Sequence, residues 1–164
     1  MSIARRLSEL HIDLPTVPTP VANYVPTRQS GSLVFTSGQT PTKDGVLQYP
    51  GKLGLDVTVE QGQRAAELAA LNCLAALHAH LGSLDRITGG VNLTGYVAST
   101  QGFADQSKAI NGASLLLERI FGEIGRHSRA ALGVAELPEG AAVELALVVE
   151  VSQSHGRTDT AEMS

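Results

Sequence analysis

Residues 129–152 read RAALGVAELPEGAAVELALVVEVS. Two runs flank Leu137-Pro138-Glu139-Gly140, where proline at the second place suits a type I turn. In the second run Val143, Leu145, Leu147, Val149 and Val151 recur at every other position. That is the period of a strand with one buried face. The spacing predicts a hairpin of 130–136 on 142–152, with Gly133 facing Glu144 and Arg129 facing Val148. Parity then groups Arg129, Ala131, Gly133, Glu144 and Ala146 on one face. Leu132, Val134, Val143, Leu145 and Leu147 make the other, an ordinary core. The first face carries a guanidinium and a carboxylate, with Ala131 and Gly133 leaving space between them. Their offset of four positions is roughly 13 Å at the strand rise. Either the two act separately, or a site forms when another subunit closes over the face. A solvated sheet face is the plainer alternative.

Upstream, residues 58–82 read as a helix. Thr58 and Gln61 form a capping box and Gly82 a stop. Ala66, Ala70, Cys73, Leu77 and Leu81 share one side, so the helix can lie close to a sheet. A second helix is predicted over 103–124, with Phe103, Ile110, Ala113, Leu117, Ile120, Phe121 and Ile124 on one face. Between them 91–98 alternates as a strand, and 33–36 (LVFT) is another. Pro15, Pro18, Pro20 and Pro26 make 13–30 an extended arm or edge strand. Residues 2–10 form a short amphipathic helix capped by Ser2. The polar tail from His155 is expected to be flexible. Strand, helix, strand, helix and hairpin after an arm describe an α+β layer: two helices on one face of a mixed sheet.

The chain has 164 residues, which suits a single domain over 1–164. A hydrophobic content of 43% against 17% charged residues excludes disorder for its bulk. No apolar run approaches a membrane span, and no secretory signal is evident. A net charge of −4 and 4% aromatics argue against a nucleic-acid surface. The lone Cys73 forbids an intrachain disulfide and fits a cytoplasmic location. No metal site is expected: His78 and His80, two apart on a helix, point about 200° apart. His127 beside Arg126 reads as a surface histidine, with a place at the cleft border as the alternative. Ser37 lacks the context of a hydrolase nucleophile.

Three strings carry a resemblance. Arg129 through Pro138, followed by Val143-Glu144-Leu145, is similar to the C-terminal signature of the Rid (YjgF) family. Asn23-Tyr24-Val25 and Phe35-Thr36-Ser37-Gly38-Gln39-Thr40-Pro41 resemble its N-terminal motifs. The blocks stand in the family's order over about residues 20–152. The resemblance implies a chorismate-mutase-like α+β fold and a homotrimer with clefts between subunits. It also implies cofactor-independent hydrolysis of reactive 2-imino or enamino acids to 2-keto acids and ammonia. Arg129 would clamp the substrate carboxylate, and Glu144 would handle water or protons. Tyr24, Ser37, Gly38, Ala131 and Asn111 would line the substrate, Asn111 on the weakest match. Ala131 stands where the family often has cysteine, Gly125-Arg126-His127-Ser128 replaces its usual lead-in to the arginine, and the helix at 2–10 is extra. These departures suggest a subgroup. A non-catalytic trimeric module binding small carboxylates fits the same residues. An endoribonuclease, a label some members carry, fits the acidic balance poorly.

Overall fold

A computed structural model describes residues 1–17 and 23–153. Its elements are α1 (Ile3–Glu9), β1 (Thr27–Ser30), β2 (Leu33–Thr36), β3 (Thr42–Lys43), β4 (Val46–Leu47), α2 (Val59–Leu81), β5 (Ile87–Ala98), α3 (Gln106–Phe121), β6 (Ser128–Val134) and β7 (Val143–Val151). The sequence places the helix ends well. Ser2 caps α1 through the Arg5 amide. Thr58 and Gln61 form the reciprocal capping box of α2, and Gly82 ends it at φ 77°. The second helix is shorter than expected, because Asp105 precedes it without a capping side-chain bond and Gly122 stops it. The part of the arm at 18–22 and the tail from 154 lie outside the described residues.

Five strands form one sheet in the order β1-β2-β7-β5-β6, and β3 pairs with β4 apart from it. Here the predicted hairpin fails. β6 and β7 are not neighbours; β5 lies between them, antiparallel to β7 and parallel to β6. The reason is visible in the strands themselves. β5, with Leu93, Gly95 and Val97 buried, is a strand that needs partners on both edges. β6 is short and exposed, with Arg129 and Gly133 in it, a composition suited to a sheet edge. The link through Pro138–Gly140 is a 3-10 turn that passes the end of β5 rather than reversing tightly. There the Ala98 amide donates to the Ala142 carbonyl and the Ser99 amide to Val134.

Helices α2 and α3 cover one face. Beneath them lie Val34, Leu93, Val97, Leu145, Leu147 and Val149, each at most 3% exposed. Gly95 leaves room for the Ile110 side chain of α3. The two helices cross closely through glycine: a Cβ at Gly112 would run into the Gln63 backbone carbonyl. α2 is therefore buried on more than its alanine side; Ala65, Ala69, Asn72 and Ala76 are also covered. No element of the chain lies over the middle of the other sheet face. It presents Phe35 and Leu132 at 42% and 48% exposure, with Tyr96, Ala146 and Val148 half-buried among them.

Candidate active site

The residues predicted from sequence separate into two groups. One lies at the free edge of the sheet. The register of Arg129 with Leu93, and of Leu93 with Leu147, turns Arg129 to the helix side. There α3 presents Ser107, Asn111 and Ser114, spaced i, i+4, i+7, as a polar stripe. Arg129 Nη1 donates to Asn111 Oδ1 at 2.9 Å and to Ser114 Oγ at 3.2 Å, and Nη2 donates to the Ser107 carbonyl at 3.4 Å. A guanidinium has five N–H donors, so Nε–H and one Nη2 hydrogen remain open among the described residues. No carboxylate pairs with Arg129 among the described residues, although Arg5, Arg6, Arg119 and Arg126 each have one. A cavity of about 380 Å³ opens beside it, lined by Ser114, Glu118, Gly125, Arg126, His127 and Arg129. His127 thus borders the cavity and is not merely a surface residue. Ala131 shares the helix-side face two residues on, half-buried against the core.

The second group lies on the open face. Glu144 is level with Tyr96, and Tyr96 with Leu132. Arg129 and Glu144 therefore point to opposite faces, which corrects the expectation that they share one. A parity argument holds only across a true pair, and an intervening strand with its own register offset changed the sign. The Glu144 carboxylate sits over Gly38, where a Cβ would collide with it. Glycine is required there by this close approach, not by its backbone angle. Gly38 is delivered by a strand-like crossing in which Gln39 and Leu145 exchange backbone hydrogen bonds. Ser37 Oγ donates to the Val25 carbonyl at 2.6 Å and its amide to Pro26 at 2.8 Å. The serine thus stitches down the arm that carries exposed Tyr24. Partial burial pushes the Glu144 carboxyl above the ordinary carboxylate range, and no hydrogen bond serves it among the described residues.

Sequence reasoning found Arg129, Asn111, Glu144 and Gly38. It missed Ser107 and Ser114, whose seven-residue spacing around Asn111 was a readable signal. It also missed Tyr96 beside Glu144, which no sequence pattern marks. Cys73 is fully buried, bonded to Thr36 and Leu145, and burial pushes its thiol up to about 12, so it is inert as expected. His80 bonds Gln29 on β1, and His78 is exposed.

Residues 4–151 match the family model described as "YjgF/chorismate mutase-like, putative endoribonuclease". The chain belongs to the YjgF family. Protein TCP17 of Trypanosoma cruzi is 44% identical over 151 residues, 92% of this chain and 94% of that protein. Among solved YjgF-like structures, Atu1372 of Agrobacterium tumefaciens is 46% identical with a TM-score of 0.86, covering 92% of each chain. A Shewanella oneidensis protein described as a putative endoribonuclease is 38% identical with a TM-score of 0.89, covering 92% of this chain and all of that one. The mixed sheet with helices on one face agrees with the α+β chorismate-mutase-like expectation.

Proposed function

We propose that this YjgF-family chain is a homotrimeric, cytoplasmic deaminase of one-domain protomers. It hydrolyses 2-imino and enamino acids to 2-keto acids and ammonia in clefts between protomers. The observation that carries this is the state of Arg129. Three neutral oxygens hold the guanidinium and no carboxylate neutralises it. Two adjacent-capable donors, Nε–H and an Nη2 hydrogen, stay open at the rim of a cavity. That is the arrangement a planar fork needs to take a carboxylate bidentately.

The separation of the two groups supports the assembly. The Arg129 group and the Glu144 group are each half of a site and cannot meet within one chain. Arg129 stands on an edge strand, so a neighbour's open sheet face can approach it, bringing Glu144, Gly38 and Tyr24 of that protomer. In such a cleft Arg129 holds the carboxylate of the iminium. Water adds to the C2 carbon and loses a proton to Glu144, giving a carbinolamine. Glu144 returns the proton to nitrogen, the C–N bond breaks, and ammonia leaves as the carbonyl forms. A carboxyl raised by burial suits both directions of this transfer better than an ordinary one.

The test is ammonia and keto-acid release from 2-aminoacrylate generated in place. Arg129→Ala removes two charge-assisted hydrogen bonds of about 1.5–3 kcal/mol each, so kcat/KM should fall roughly 10²–10⁴-fold. Arg129→Lys should fail almost as badly, because a point charge cannot replace the fork. Equal rates for mutant and wild type reject the assignment. Binding of 2-ketobutyrate without turnover would instead favour a trimeric carboxylate-binding module. RNA cleavage surviving Arg129→Ala would favour the endoribonuclease name of the Shewanella relative, against the net charge of −4.

A further inference from the structure

We propose that Ser114 and His127 form a positioning relay that fixes the Arg129 guanidinium for anion binding. The inference rests on the reading of Arg129 as the substrate clamp, and it adds two residues to it. Donor chemistry sets the direction of every link. The Gly125 carbonyl can only accept, and His127 Nδ1 lies 2.7 Å from it, so Nδ1 carries the hydrogen. Nε2 of the neutral ring is then an acceptor, 3.0 Å from Ser114 Oγ. Arg129 Nη1 can only donate, so Ser114 Oγ accepts from it at 3.2 Å. The single serine proton is left for Nε2. The chain therefore runs from the guanidinium to the hydroxyl, from the hydroxyl to the imidazole, and from the imidazole to the backbone.

This arrangement has a physical consequence. A hydroxyl that donates to an imidazole is a stronger acceptor toward the guanidinium than an unengaged one. Asn111 Oδ1 satisfies the other Nη1 hydrogen. With both Nη1 donors committed, rotation about the Nε–Cζ bond is resisted, and the open donors keep one orientation toward the cavity. The imidazole is held in turn by the short 3-10 turn Gly122–Gly125, whose Gly125 packs against the Leu117 carbonyl. Two more charged groups line the same cavity: Glu118 on α3 and Arg126, which pairs with Glu123. Neither touches the relay, so its direction is set by the hydrogen bonds alone.

Nitrogen NMR of the full-length labelled protein tests the relay without any ligand. At pH 8 the His127 ring, assigned by comparison with His127→Gln, should be the Nδ1–H tautomer. The Arg129 Nε–H signal should be sharp in the wild type and broadened in Ser114→Ala and His127→Leu. The affinity for 2-ketobutyrate, read by calorimetry, should weaken about 3–10-fold in those two variants. Their KM for the imino acid should rise with kcat nearly unchanged. Ser114→Thr keeps the hydroxyl and His127→Gln keeps an acceptor, so both should stay within about twofold of wild type. A His127 ring in the Nε2–H tautomer overturns the relay, and so does unchanged affinity in Ser114→Ala and His127→Leu when Arg129→Ala has lost binding. Unchanged affinity in Arg129→Ala instead removes the clamp reading, and the ligand-free spectra then decide the relay alone.

Discussion

Glu144 is the residue whose environment is least like that of a surface carboxylate. It lies half-buried on the sheet, over a glycine, with a raised pKa caused by desolvation. For an acid, a folded value above the unfolded one means that folding favours the neutral form. Stability from this group is full below the unfolded pKa and is lost as pH rises through the folded value. The carboxylate therefore destabilises the fold at neutral pH. Glu144→Gln should raise the melting temperature at pH 7–8, and that advantage should vanish near pH 4. Thermal melts of both proteins across this range check it. Loss of catalysis together with higher stability would mark Glu144 as a group retained for function. A lower melting temperature at pH 8 would mean that the carboxylate has a stabilising partner.

Among the elements, the crossing of α2 and α3 sets the position of the polar stripe that holds Arg129. Gly62 meets Leu53 and Ala109, and Gly112 meets the backbone of Gln63. In an open helix, alanine in place of glycine gains about 1 kcal/mol. At Gly112 the obstacle is a carbonyl group that cannot swing aside, so overpacking of about 1–3 kcal/mol outweighs the propensity gain. Gly112→Ala should lower the melting temperature, at roughly 2–4 °C per kcal/mol for a chain of this size. It should also weaken keto-acid binding, because α3 would shift Asn111 and Ser114 away from the guanidinium. An unchanged melting temperature would show that the crossing has slack. These helices were legible beforehand because their signals are local. Thr58, Gln61 and Gly82 act within one turn of themselves, and an apolar stripe needs no knowledge of its partner. The Arg129 acceptors on α3 were half legible: Asn111 was singled out, whereas Ser107 and Ser114 gain meaning only once an arginine stands opposite them.

For the whole molecule, the open sheet face decides the assembly. Phe35 and Leu132 stand out from it at 42% and 48% exposure, flanked by Tyr96, Ala146 and Val148. A monomer would leave this surface in water, whereas a trimer of the proposed kind buries it and brings the two half-sites together. Leu132→Glu places a charge in that interface, where burial of an unpaired charge is strongly unfavourable. Light scattering should give a trimeric mass for the wild type and a monomeric mass for the variant, with deaminase activity lost at the same time. A wild-type monomer that keeps full activity would refute the shared cleft.

The sequence by itself determined the elements, the apolar faces, the family strings and the identities of Arg129 and Glu144, since each is written in spacing over a few residues. Only the tertiary structure decided where they stand. β6 and β7 are separated by just the Pro138 link, yet β5, more than thirty residues upstream of β7, takes the place between them. Strand order follows from which strands gain most by burying both edges, a competition among distant segments. Adjacent sequence carries no record of its outcome. One inserted strand sent Arg129 to the helix side and Glu144 to the open face.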